Sequence, residues 1–169
     1  MQRFFIALFL LLLVGGCATM QLTGPNGTVY NIHDDETLKV RIPVPEGWTE
    51  QFETAPSTHY IISSPSKKAM MIITIDPMAT ADDKLLKEIE MLKKRLGPNA
   101  DMQKLAGTIS GHRARGFRLS TEAAEMKLFA IDHDRGIYVL VTVLANNAEP
   151  QDREALQFIF EHLQIVEDE

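Results

Sequence analysis

Residues 125–145, EMKLFAIDHDRGIYVLVTVLA, decide the fold of this chain. Two strand-like segments, EMKLFAIDHD (125–134) and GIYVLVTVLA (136–145), meet at Asp, Arg and Gly, which are residue types typical of a tight turn. The second segment is apolar on both faces, so we expect a central strand that is covered on each side. Because such a short connection joins antiparallel strands, the stretch predicts a hairpin in the middle of an antiparallel sheet.

Further strands are predicted on the amino-terminal side of this hairpin. QKLAGTIS (103–110) and HRARGFRLS (112–120) complete a run of four consecutive strands. Earlier in the chain, TLKVRIPV (37–44) alternates apolar and polar residues, as expected of a strand with one buried face. HYIISS (59–64) and AMMIITIDP (69–77) follow as two more strands joined by a turn.

Two amphipathic helices are expected to cover this sheet. Residues 80–96 have the helical spacing i, i+4, i+7 and i+11, with Thr80 as the N-cap. Pro150 opens a second helix near the carboxyl end. The apolar stripes are Leu85, Ile89, Leu92 and Leu96 in the first helix, and Leu156, Ile159, Phe160 and Leu163 in the second. The sequence therefore predicts a single α+β domain, mainly an antiparallel sheet covered by two amphipathic helices.

This order of elements resembles the PsbP-like superfamily. The matching residues are IPVPEGW (42–48), a strand that ends in a Pro-x-Gly-Trp turn, GHRA (111–114) at the start of a later strand, and the closing helix. The resemblance covers residues 37–166 and implies an αβα sandwich. It also implies a binding or assembly factor rather than an enzyme, because most members have such roles, and several bacterial members are lipoproteins. No functional residue is carried over, since no site motif of that superfamily is recognised.

The amino-terminal segment indicates a targeting signal. Residues 4–14 form an apolar run of 11 residues, which suits a signal-peptide h-region and is too short for a bilayer-spanning helix of about 20 residues. The following Val-Gly-Gly-Cys (14–17) resembles the lipobox of bacterial lipoproteins, which implies lipid attachment to Cys17 and cleavage before it. Because Ala18 and not Asp follows, the resemblance implies an outer-membrane anchor facing the periplasm. Two alternatives stay open, namely ordinary cleavage after Ala18 and an uncleaved anchor.

The chain is accordingly divided into three parts. Residues 1–16 are expected to be the lipoprotein signal peptide, 17–27 a lipidated tether, and 28–169 the single α+β domain. The turn-rich PNG in the second part offers an alternative, in which it turns a short hairpin that pairs residues near Leu22 with residues 29–32.

Composition narrows the classes of function. Without residues 1–16, the chain has 16 basic and 23 acidic residues, so an acidic domain is predicted, and nucleic acid is a disfavoured partner. Cys17 is the single cysteine, so no disulfide forms and the folded domain has no thiol nucleophile. A glycine-rich phosphate loop is also missing, and no cofactor is predicted.

Histidines beside carboxylates raise the question of a metal site. HDD (33–35) and DHD (132–134) contain the ligand types that zinc binds. Neighbouring residues on a strand point to opposite faces, however, so neither triplet converges on one ion by itself. We interpret the second triplet as a solvated hairpin turn and predict no metal site, and Met70 and Met71 alternate faces in the same way.

Trp48, Arg113 and Arg115 are the candidate contacts for a ligand or partner. Arg113 and Arg115 share a strand face and suit an anionic group, but cross-strand pairing with Glu122, Glu125 or Asp132 is the competing interpretation. Trp48 follows Gly47 at a turn and either caps the edge of the core or lines an apolar groove.

The leading hypothesis is a bacterial envelope lipoprotein, anchored to the membrane through Cys17, whose domain binds or supports another envelope protein without catalysis. A small-ligand or metal-binding lipoprotein is the alternative, with a pocket near Trp48 or the Arg113 and Arg115 strip. A hydrolase ranks last, because Ser110 and His112 lack the nucleophile-elbow pattern.

Overall fold

A computed structural model of the chain describes residues 20–54, 58–77, 80–96 and 101–167. Cys17, the lipobox-like residues and the predicted signal peptide therefore lie outside the described residues. Within the described ranges, neither helix combines the length and the apolar character that crossing a bilayer requires.

The larger sheet has seven strands, and every neighbouring pair is antiparallel. Its order is β4-β5-β6-β10-β9-β8-β7, so β10 lies in the middle and pairs with β6 and β9. This position confirms the prediction for the strand that is apolar on both faces. The strands are β4 (Thr49–Glu53), β5 (His59–Ser63), β6 (Ala69–Asp76), β7 (Asp101–Ile109), β8 (His112–Ser120), β9 (Ala124–His133) and β10 (Gly136–Ala145).

A smaller sheet of four strands contains both ends of the domain. Its order is β1-β2-β3-β11, with β1 at Gln21–Thr23, β2 at Val29–Asp35, β3 at Val40–Pro45 and β11 at Gln164–Ile165. Leu22 lies opposite Tyr30, so β1 and the start of β2 form the hairpin that the sequence left as the alternative to a tether. The folded domain consequently begins before residue 28, because β1 gains a strand partner that a free tether would lack.

Strand β3 begins at Val40 and not at Thr37 as predicted. The carboxylate of Asp35 accepts the backbone N–H groups of Thr37 and Leu38 at 3.0 and 2.7 Å, and Lys39 has a positive φ of 53°. These contacts turn the chain before the strand starts. Leu38 is nevertheless fully buried, which explains why its alternation with Val40 suggested a strand.

Both predicted helices are present as α1 (Ala81–Leu96) and α2 (Pro150–His162). The Thr80 hydroxyl accepts the backbone N–H of Asp83 at 3.3 Å and donates to the Asp83 carboxylate at 2.7 Å. These contacts confirm Thr80 as the N-cap of α1. In the second helix, Leu163 is the C-cap residue and is buried with Leu156 and Ile159.

The core has two parts, one on each face of the larger sheet. On one face, Leu85 and Ile89 of α1 pack against β9 and β10 residues such as Leu128 and Val139. On the other face, α2 and the smaller sheet pack against side chains such as Tyr138 and Leu140 of β10, among others. The chain therefore has the predicted α+β architecture, with the helix α1 on one side and a mixed layer of α2 and the smaller sheet on the other.

Candidate functional site

Strand β8 presents polar side chains to both faces of the larger sheet. It follows a turn in which Ser110 and Gly111 both have positive φ, at 51° and 82°, as a two-residue hairpin turn of type I′ requires. Alternation along the strand directs Arg113 and Arg115 toward the α1 side. His112 and Ala114 point to the opposite side, where Ala114 belongs to the core beneath α2 and the smaller sheet.

On the α1 side, Arg115 is held between two carboxylates. Its Nη1 donates to Asp82 at 2.7 Å, and its Nη2 donates to Asp132 at 3.0 Å. Arg118 similarly pairs with Glu125 on the neighbouring strand. Cross-strand pairing is therefore observed, with an additional carboxylate from the first turn of α1. Arg113 is exposed, and no described residue forms an ion pair with it.

An apolar groove runs beside these arginines between α1 and the edge of the larger sheet. Its volume is about 480 Å³, and its lining includes Leu85, Leu86, Ile89, Ala106 and Phe117. Leu86 is 60% exposed and lies outside the apolar stripe of the helix. Sequence reasoning missed this groove, because only the packing of α1 over β8 creates it.

Trp48 lies on the other side of the larger sheet from Arg115. Gly47 has a φ of 83°, and the backbone N–H of Trp48 donates to the carbonyl of Pro45 at 3.1 Å. The partly buried indole packs against the core and also lines a cavity of about 280 Å³. Buried Asp152 lines the same cavity and accepts the hydroxyl of Ser66 at 2.6 Å. Trp48 and the arginines consequently do not form one site.

The histidine of the HDD triplet contacts a carboxylate from another strand. Nδ1 of His33 lies 2.9 Å from the Glu50 carboxylate, which also accepts the hydroxyl of Tyr60. Burial, followed by this hydrogen bond, raises the pKa of Tyr60 far above its usual value. Asp34 pairs separately with Arg41 at 2.6 Å. The contact between His33 and Glu50 joins the smaller sheet to the larger one, and the other two contacts each lie within one sheet.

The histidine of the DHD triplet belongs to a cluster that the sequence did not predict. Ala114 lies opposite Ile131, and continuing this register by two residues puts His112 opposite His133. Their ring centroids are 4.8 Å apart. Glu167 reaches both rings, with 3.4 Å from Oε1 to His112 Nε2 and 3.4 Å from Oε2 to His133 Nε2.

His133 is the most enclosed member of this cluster. Its side chain is 3% exposed, and its Nε2 is buried and makes no hydrogen bond with any described residue. Nδ1 accepts the backbone N–H of Arg135 at 3.2 Å. A buried polar atom without a hydrogen bond costs about 1–3 kcal/mol, so this nitrogen marks a place where a further binding partner would add stability.

The carboxyl-terminal segment supplies the third residue of the cluster. The backbone N–H of Ile165 donates to the Ser110 hydroxyl at 2.7 Å, and that of Val166 donates to the Lys39 carbonyl at 2.8 Å. Glu167 follows directly, beside a cavity of about 340 Å³ that Asp132 and Asp134 also line. The sequence carried no local signal for this cluster, because Glu167 lies far along the chain from both histidines.

A solved structure with a similar fold is known, although the sequence comparisons find no match. No protein-family model and no curated protein sequence matches the chain. Among solved structures, the cyanobacterial PsbP (CyanoP) of Synechocystis sp. PCC 6803 is similar with a TM-score of 0.59 and 9% identity, over 90% of this chain and 98% of that one.

Two other solved structures match more weakly. LpqN, involved in cell envelope biogenesis of Mycobacterium tuberculosis, has a TM-score of 0.44 at 14% identity, covering 88% of this chain and 90% of its own. PA94, a protein of unknown function and putative regulator from Pseudomonas aeruginosa, has a TM-score of 0.42 at 16% identity, covering 79% and 94%. The fold of this chain is similar to that of the cyanobacterial PsbP, as the sequence predicts.

Proposed function

We propose that this chain is a lipoprotein of the bacterial cell envelope, anchored through lipid on Cys17, whose folded domain binds another envelope protein without catalysing a reaction. The lipobox-like residues before Cys17 carry the first half of the proposal. They follow an apolar run of signal-peptide length, and this is the single cysteine of the chain.

The anchor would hold the domain close to the membrane. Three residues separate Cys17 from the first residue of β1, Gln21. At about 3.3–3.6 Å per residue, a segment of this length can span at most roughly 14 Å. The exposed side chains of Met20 and Leu22 lie at this end, so the edge of the smaller sheet would face the membrane surface in the outer-membrane arrangement that Ala18 implies.

A non-enzymatic role agrees with the contacts of the residues considered for hydrolysis. The Ser110 hydroxyl is occupied by the backbone N–H of Ile165 at 2.7 Å. His112 instead lies beside Glu167 at 3.4 Å. The two side chains therefore have separate partners, which supports a structural role for Ser110.

The apolar groove beside α1 is the proposed binding surface. Strand β7 is the last strand of the larger sheet, so one edge of its backbone is unpaired among the described strands. An extended segment of a partner protein would add a strand there and place apolar side chains against Leu86 and Phe117. Exposed Arg113 would contact an acidic residue of that segment, whereas Arg115 and Trp48 are already held by intramolecular contacts.

The anchor is tested by the intact mass of the full chain extracted from bacterial membranes. We expect a mature chain that begins at Cys17 and carries the mass of its lipid, and a Cys17→Ala variant without that mass. A wild-type chain cleaved after Ala18, or a variant that still carries lipid, would refute the anchor.

The binding surface is tested by a photo-crosslinking residue at position 86 of the full chain in cells. We expect a discrete adduct that mass spectrometry maps to an extended apolar segment of one envelope protein, and that Arg113→Glu weakens. The control carries the same residue at Gln157, which is exposed on α2. Equal adducts from both positions, or no adduct together with a strong thermal shift on adding a small ligand, would contradict the accessory role.

A further inference from the structure

His112, His133 and Glu167 converge from three separate parts of the chain. His112 opens β8, His133 ends β9, and Glu167 follows β11. One ligand atom of each residue lies within 4.8 Å of the others. Both histidines are placed by strand register, and the third residue is placed by the hydrogen bonds of the preceding segment, so the backbone arranges the cluster.

The spacing of the ligand atoms fits a tetrahedral metal ion. For metal–ligand bonds of about 2.0–2.1 Å, two ligand atoms of a tetrahedral site lie roughly 3.3–3.4 Å apart. Glu167 lies 3.4 Å from both histidine Nε2 atoms, through Oε1 for His112 and through Oε2 for His133. One ligand atom of each residue lies within 4.8 Å of the others, so the imidazole rings and the carboxylate must draw together to bind one ion.

We propose that His112, His133 and Glu167 form a binding site for a divalent transition-metal cation such as Zn²⁺. Two imidazole nitrogens and one carboxylate oxygen suit zinc and its neighbours better than magnesium or calcium, which prefer sets of oxygen ligands. Nε2 of His133 is buried and makes no hydrogen bond, so it is the most firmly placed ligand atom of the proposed site. Asp134 lines the same cavity and adds negative charge, whereas the Asp132 carboxylate is paired with Arg115. A water molecule would complete the coordination.

Coordination requires a change in the tautomer of His133. Nδ1 of His133 accepts the N–H of Arg135, which places the proton of a neutral ring on Nε2. Metal binding releases this proton from Nε2, and Nδ1 takes up one proton in exchange, which leaves the ring neutral. The amide of Arg135 then loses its acceptor, and we expect its hydrogen exchange to accelerate on metal binding.

The proposal is tested by titrating the full chain, purified in detergent and stripped with a chelator, with ZnCl₂ in competition with a chromophoric chelator. We expect one ion per chain. His112→Ala and Glu167→Gln should each weaken binding by about tenfold or more, and His133→Gln by about 100-fold. His162→Ala is the matched control, because His162 is exposed and stacks on Phe158 in α2.

Two features of the experiment distinguish a loss of metal binding from a loss of folding. Glu167 is largely exposed, so its substitution leaves the core intact, and circular dichroism of every variant in chelator checks the fold. Co²⁺ is used as a second probe, whose visible absorption reports a low-symmetry site with nitrogen ligands. Absence of zinc binding, binding that the three variants leave unchanged, or an equal loss in His162→Ala would overturn the proposal.

Discussion

The two faces of strand β8 carry polar residues of different kinds, an ion-paired arginine on one side and a pair of histidines on the other. On the α1 side, Arg115 has two carboxylate partners, Asp82 and Asp132, at 2.7 and 3.0 Å. On the other side, His133 lies across from His112 with a buried Nε2 that makes no hydrogen bond. Each face thus has one buried nitrogen without a hydrogen bond, because Nε of Arg115 also makes none, but the two nitrogens differ in chemistry.

This difference distinguishes side chains that hold the fold together from side chains that have a nitrogen able to bind a metal ion. An arginine is always charged and its nitrogens only donate, so Arg115 is held by carboxylate partners and its buried Nε cannot bind a cation. A neutral histidine can be buried at lower cost and keeps a nitrogen that can bind a metal. The histidine face therefore indicates the candidate metal site better than the more conspicuous arginine strip.

Gly116→Ala should lower the stability most, because it disrupts β8, the strand that presents Arg115 on one face and His112 on the other. A Cβ at this position would lie 2.1 Å from the carbonyl oxygen of Leu128 on the neighbouring strand, so the backbone itself must move. We expect a loss of about 3 kcal/mol in the free energy of unfolding, measured by urea denaturation of the full chain in detergent.

Gly107→Ala is the matched control on the neighbouring edge strand β7. A Cβ there has no atom within 4 Å, so the free energy of unfolding should change by less than about 1 kcal/mol. Similar losses for both variants would show that the close approach at Gly116 does not constrain the sheet.

Tyr60→Phe removes a buried polar group that has its partner, and so sharpens the comparison with His133. Loss of the hydrogen bond to charged Glu50 should cost about 1.5 kcal/mol at neutral pH. Burial raises the pKa of Tyr60 in the folded chain, so the unfolded chain loses this proton first, near pH 10. This contribution is complete below pH 10 and is lost as the pH rises above it.

The pH dependence provides the measurement for that prediction. Above pH 10, the free energy of unfolding of the wild type should fall more steeply than that of Tyr60→Phe, by about 1.4 kcal/mol per pH unit. Tyr30, whose pKa is also raised by burial, contributes to the slope of both proteins. Parallel slopes would contradict the role assigned to Tyr60.

Arg115→Ala should have a smaller effect, although it breaks two ion pairs. Both pairs are partly exposed, and such pairs contribute about 0.2–1 kcal/mol. We expect a loss of about 1 kcal/mol at low salt that shrinks at high salt. Arg113→Ala, the control on the same face, should stay within about 0.5 kcal/mol of wild type. Thermal unfolding of both variants at two salt concentrations measures this difference. Equal losses of stability in both variants would contradict the structural role of Arg115.

Much of the fold could be predicted from local patterns. The four strands of residues 101–145 and both helices follow from apolar periodicity and turn residues, which act over a few positions. The predicted start of β3 was wrong, because neither the contacts of Asp35 with the next turn nor the positive φ of Lys39 leaves a periodic signal in the sequence. The β1 hairpin was only an alternative, because a strand of three residues is too short to show periodicity.

The candidate site could be predicted only where its residues lie on paired strands. Arg115 and Asp132 belong to β8 and β9, so their contact follows from a hairpin that the sequence already indicates. The metal-ligand cluster needs Glu167, whose position depends on how β11 returns to pair with β3. Such a long-range contact has no counterpart in the local spacing of the chain.

Anomalous X-ray diffraction at the zinc edge, from crystals of the full chain grown with ZnCl₂, tests most directly that the histidine face of the β8–β9 hairpin binds a metal ion. The account predicts an anomalous peak about 2.0–2.2 Å from Nε2 of His112, Nε2 of His133 and a carboxylate oxygen of Glu167. No peak should lie beside Arg115. A cluster without a peak in crystals that bind zinc elsewhere would contradict the account.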